Sequence, residues 1–112
     1  MVREKSFAFA LRIIKLSRFL NSHHNEYVLS KQVLRSGTSI GANLEEAIGG
    51  VSRKDFAAKI GIAYKETRET HYWLRLLHAG EYIDDNAYES IIADCEELLK
   101  LLGSIQKSLK QD

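Results

Sequence analysis

A chain of 112 residues, 45% of them apolar, is long enough for one domain with its own core and too short for two. That composition excludes a disordered chain, and no apolar run approaches the roughly 20 residues that span a bilayer. The net charge is only +1, but residues 1–60 hold ten Lys/Arg against five Asp/Glu and residues 61–112 hold six against ten, so the two halves can dock within a chain or between copies.

There is no proline, so nothing forces a helix to break. The single cysteine, Cys95, allows no internal disulfide and no cysteine-based metal site, which points to a reducing, cytoplasmic setting. The opening MVREKSFAFALRIIKL is basic and then apolar, but Arg12 interrupts it and no small-residue cleavage site follows cleanly. It reads as a helix, not a signal peptide.

The first helix is expected over about Val2–Asn21. Phe7, Ala10, Leu11 and Ile14 form one apolar stripe, with Ser17 at its end. Ile13, Leu16 and Leu20 form a second. The outward arc carries Lys5, Arg12, Lys15 and Arg18, with Arg3 nearby. Residues 21–26, NSHHNE, lack apolar periodicity and read as a loop.

The second helix is expected over about Tyr27–Ile48, ended by Gly49 and Gly50 in the left-handed conformation that glycine tolerates. Leu29, Val33, Ser36, Ile40, Asn43 and Ala47 recur at four and three, the period of one helix face. Ser36 and Asn43 are therefore expected among buried apolar residues. Gly37 and Gly41 lie one position off that row. Each glycine costs a helix roughly 1 kcal/mol relative to alanine. Close packing or function must offset that loss.

Ser52 caps the third helix, with Asp55 completing an approximate capping box. Phe56, Ile60, Ala63, Thr67, Thr70, Leu74 and Leu77 supply its inward row, and Gly80 stops it. Asp84 or Asp85 caps the fourth helix, whose row runs Tyr88, Ile91, Cys95, Leu98, Leu102, Ile105 and Leu109. No segment alternates with period two. The expected fold is therefore all-α, a single antiparallel up-down-up-down four-helix bundle over residues 1–112. Ile92, Leu99 and Leu101 exceed the stripe the fourth helix needs, as the second stripe does on the first. Surplus of this kind means association between copies, or a wide core face.

Chemistry finds little support. Glu66-x-x-Glu69 and Glu69-x-x-Tyr72 are not the Glu-x-x-His pairs of di-iron bundles. His23 and His24 are adjacent in a loop, and His71 and His78 are too far apart for one metal. Cys95 falls in an apolar row with no histidine nearby in sequence. No metal, cofactor or enzymatic activity is expected.

Two patterns remain. Gln32, Ser36, Ser39, Asn43 and Glu46 make a polar strip with Arg35 at its edge, and Glu66, Glu69, Thr70 and Trp73 of the third helix can face it. The strip is either a buried hydrogen-bond network that fixes helix register or a recognition surface. The basic arc, with Lys31, Arg35, Arg53, Lys54 and Lys59, is either a phosphate-contacting surface or a solvated face.

The strip also carries a likeness. Gln32-x-x-Arg35-Ser36-x-x-Ser39-Ile40-x-x-Asn43-x-x-Glu46 resembles the signature of the four-helix bundle family of bacterial intervening-sequence proteins, encoded within insertions in large-subunit ribosomal RNA genes. Asp55-Phe56 and Ile62-Ala63-x-x-Glu66-x-x-Glu69-Thr70-x-Tyr72-Trp73-Leu74 resemble the family's third helix. The likeness covers nearly the whole chain. It implies a bundle that assembles as a ring, typically a homopentamer. Relatives include an accessory protein of diversity-generating retroelements, which works with a reverse transcriptase and binds nucleic acid through a basic surface. No catalytic residue comes with the family. Glu46-Ala47 departs from a frequent Glu-Gly and implies a longer second helix here. The expectation is a non-enzymatic homo-oligomer that binds RNA, DNA or a nucleic-acid enzyme, with Lys5, Arg12, Lys15, Arg18, Arg53 and Lys54 as contacts. The rival is a protein-interaction scaffold without nucleic-acid affinity.

Overall fold

The computed structural model describes residues 1–111; Asp112, the last residue of the expected domain, lies outside the described residues. Four α-helices follow one another: α1 (Val2–His24), α2 (Val28–Ile48), α3 (Arg53–Ala79) and α4 (Asp85–Lys110). Each packs against its neighbours in sequence, and α1 meets α4 to close the bundle, in the loosest of the four seams. Cross-helix pairs fix the directions. Ser36 meets Thr70 while Glu46, further along α2, meets Lys59, earlier on α3. Likewise Lys5 meets Glu97 while Arg12 meets Asp94. Neighbouring helices therefore run antiparallel, as the short connections require.

The caps explain the boundaries. Ser52 Oγ accepts from the Asp55 N–H at 3.0 Å, and Asp84 Oδ1 accepts from the Ala87 N–H at 2.8 Å. Asp84, not Asp85, is thus the cap of α4. The Glu26 carboxylate accepts from the Ser30 N–H at 2.9 Å and so starts α2. α1 outruns expectation by a turn and ends at Asn25, which adopts the left-handed conformation at φ 49°. Asparagine tolerates that conformation. Gly49 does not use it: its φ is −83°, and among the described residues only Asn25 and Glu81 have positive φ.

The core is continuous from Phe9 and Ile13 of α1 through Val33, Ile40 and Leu44 of α2 to Ile60, Leu74 and Leu98 of α3 and α4. The α3 and α4 rows fall where their spacing put them, and Ile92, counted as surplus, is also buried. Two rows differ. On α1 the core takes Ser6, Phe9, Ile13, Ser17 and Leu20, while Phe7 and Leu11 stand 68% and 48% exposed. Periodicity cannot choose between two apolar stripes; the partner surface does. A Cβ on Gly37 would lie 2.8 Å from both Cγ1 and Cγ2 of Ile13, and one on Gly41 would lie 3.4 Å from Ser6 Oγ. The α2 glycines therefore accept the Ser6–Ile13 side of α1, and Phe7 and Leu11 are turned outward.

On α2 the buried row is Val33, Ser36, Gly37, Ile40, Leu44 and Ala47. Leu44 takes the place expected for Asn43, which is only half-buried. A straight helix drifts about 20° per seven residues from a strict heptad, enough to bring the larger apolar neighbour inward.

Polar strip and candidate nucleic-acid interface

Arg35 is the centre of the polar strip. It reaches from α2 to α3, where its guanidinium pairs with Glu69 and, at 3.2 Å, with Glu66. Gln32 Oε1 accepts from the same guanidinium at 3.4 Å. Glu69 also accepts from the Trp73 indole N–H at 2.9 Å. One turn on, Thr70 Oγ1 lies 2.8 Å from Ser36 Oγ, and both hydroxyls are buried. Ser39 and Asn43 bond within their own helix, Ser39 Oγ donating to the Arg35 carbonyl and Asn43 Nδ2 to the Ser39 carbonyl. Glu46 pairs with Lys59 at 2.6 Å. Among the described residues no buried side-chain nitrogen or oxygen lacks a partner. A network so completed fixes the register of α2 on α3.

Glu66 is four-fifths buried as a side chain, so the clamp is worth more than a surface ion pair. Arg35→Met leaves two carboxylates side by side without their cation. It is expected to cost about 1–2 kcal/mol in thermal unfolding at fixed protein concentration. Arg35→Lys should recover only part, because an ammonium cannot fork to two carboxylates as a guanidinium does.

The six cations expected to contact phosphate do not form one patch. Lys5, Arg12, Lys15 and Arg18 lie on α1, and Arg53 and Lys54 open α3, which does not touch α1. Lys5 pairs with Glu97 at 3.0 Å. Arg12 pairs with Asp94 at 2.6 Å and donates to Ser90 Oγ at 2.9 Å. The acidic α4 thus neutralises the inner part of the arc and ties the loose α1–α4 seam, the docking of basic on acidic half that the charge asymmetry implied. Arg53 donates to the Leu109 carbonyl at 3.3 Å. Lys15, Arg18 and Lys54 are exposed and have no ion pair among the described residues.

The core cysteine is not poised for nucleophilic chemistry. Cys95 is fully buried, and its Sγ–H points to the Thr67 carbonyl at 3.5 Å. Burial, with smaller contributions from Glu96 and Asp94, pushes its thiol up to about 12, so the nucleophilic thiolate is suppressed. His71 and His78 bond separately, to Glu96 and Asp85. Among the described residues no group of three or more metal-binding side chains converges, and no helix is long and apolar enough to cross a membrane.

The comparisons agree with this architecture. A crystal structure of a protein of unknown function from the S23 ribosomal protein family, from Bacteroides thetaiotaomicron VPI-5482, superposes with a TM-score of 0.94. The two are 54% identical over 96% of this chain and 99% of that one. No curated protein matches the sequence. The family described as 23S rRNA-intervening sequence protein matches residues 1–104, spanning α1, α2, α3 and most of α4. With its polar strip, glycine-seated α1 and four antiparallel helices, the chain belongs to the 23S rRNA-intervening sequence protein family.

Proposed function

We propose that this protein is a non-enzymatic accessory subunit that assembles with copies of itself, as a pentameric ring, and associates with RNA or DNA or with an enzyme acting on them. The observation that carries the reading is the uncovered apolar face of α1, where Phe7 and Leu11 project outward beside Ala10 and Ile14. A monomer gains nothing by keeping a phenylalanine and a leucine in water on one helix face, whereas a symmetric assembly buries them. The nucleic-acid half is supported by the family's link to 23S rRNA intervening sequences and by exposed cations that have no ion pair among the described residues. A cytoplasmic location fits the single, reduced Cys95.

The rival reading, a scaffold with no affinity for nucleic acid, is favoured by one observation: Lys5 and Arg12 are already engaged by Glu97 and Asp94. Anisotropy of a labelled RNA separates the two. Binding at about 50 mM salt that weakens steeply toward 200 mM is the expected result. No binding at low salt leaves the scaffold.

A further inference from the structure

The acids of α3 beyond its first turn are Glu66 and Glu69, and Arg35 holds both on the α2 side. That clamp leaves the opposite, outward face of α3 with cations and no carboxylate. Lys65, Arg68, Tyr72 and Arg75 follow one another at three, four and three residues, the spacing of one helix face. All four are exposed, and the three cations have no ion pair among the described residues. Lys65 and Arg75 stand about 15 Å apart along the helix, a span of several phosphates.

Tyr72 lies between them at 50% exposure. Its ring meets Trp73 edge to face, with centroids 5.3 Å apart, and the Trp73 indole is anchored on Glu69. The aromatic surface is thus propped outward among cations rather than folded down on the core. Alternating cations and a supported ring match what single-stranded nucleic acid offers: a phosphate at each step, and a base whose flat face can stack.

We infer that the outer face of α3, through Lys65, Arg68, Tyr72 and Arg75, is the surface that binds single-stranded nucleic acid, with the phosphates on the cations and a base on Tyr72. This rests on the nucleic-acid half of the function proposed above and moves its site from α1 to α3. The polar strip acquires a second consequence, since the Arg35 clamp that fixes register also clears acid from the binding face.

The test uses the full chain, a fluorescein-labelled single-stranded RNA of about 20 nucleotides and its duplex, titrated across salt concentrations. The triple variant Lys65→Gln, Arg68→Gln, Arg75→Gln is expected to lose about 100-fold in affinity at 0.1 M salt. Its slope of log affinity on log salt should fall by about 2. Lys15→Gln with Arg18→Gln should leave the slope within error of the parent. Tyr72→Ala should weaken single-strand binding by about tenfold and duplex binding far less. If the α1 pair removes the slope and the α3 triple keeps it, the inference is overturned while the proposed function stands. Equal loss for duplex and single strand on Tyr72→Ala overturns the stacking. A change in assembly mass in the α3 triple makes this face a protein interface and overturns the inference as well. If the parent protein binds neither probe at low salt, the nucleic-acid function itself fails, and this site with it.

Discussion

Gly37→Leu is expected to be among the most damaging single substitutions in this chain, costing about 3 kcal/mol or more and lowering the melting temperature by about 10–20 °C. Helix propensity alone argues the opposite, because leucine is the better helix former by most of 1 kcal/mol. Packing decides. The first carbon added at Gly37 would already stand 2.8 Å from two carbons of Ile13, and that residue is completely buried. Ile13 is β-branched and stiff at χ1, so it cannot swing aside as a methionine or lysine would. The remaining response is to lift α1 off α2, which opens the Ser6 contact at Gly41 and the Phe9 packing with it. Circular-dichroism melts at one protein concentration check this. Combining Gly37→Ala with Ile13→Ala tests the cause, since removing the Ile13 methyls should make the alanine at 37 less harmful than it is alone. A melting temperature unchanged by Gly37→Leu would mean that α1 does not seat on this glycine.

The second large effect concerns assembly. Phe7→Asp combined with Leu11→Asp is expected to turn an oligomer into single chains without unfolding them. Both side chains lie outside their own bundle's core, so the fold loses little. Burying a phenylalanine or leucine at an interface is worth about 1.5–3 kcal/mol each, so losing both weakens each contact by at least 100-fold. Introducing two carboxylates that must be desolvated adds to the loss. The readout is mass by light scattering together with an unchanged helical spectrum. An assembled double variant would place the interface elsewhere on the bundle.

Most of the fold was legible because each helix announces itself in one period. Ser52 and the row from Phe56 to Leu77 specify α3 almost residue by residue, and the row from Tyr88 to Leu102 does the same for α4. The ambiguities arose where two answers satisfy the same pattern. α1 has two apolar stripes, and only the glycines of a different helix select which one is buried. Asn43 and Leu44 are adjacent, and a drift of about 20° per heptad turns Asn43 out of the inward row and Leu44 into it. The left-handed residue after α1 was hidden because the expected turn of NSHHNE is mostly helix, with Asn25 carrying the conformation assigned to Gly49.

The candidate site was legible in part. Arg35, Glu66 and Glu69 were expected to face one another and do. The Ser36–Thr70 hydrogen bond follows from two hydroxyls in inward rows of neighbouring helices. The basic arc of α1 looked like the strongest electrostatic surface because a sequence does not say which cations meet acids. Only the antiparallel seam with α4 places Glu97 and Asp94 against Lys5 and Arg12. By the same logic the outer face of α3 was overlooked: Glu66 and Glu69 neutralise it on paper and are drawn away from it in space.

Self-assembly through the outward face of α1 is the central claim, and the molar mass of the purified chain at low micromolar concentration tests it most directly. Light scattering coupled to gel filtration should give a single species several times the 12.7 kDa of one chain, five times for a ring of five. A mass of one chain at that concentration would contradict the claim.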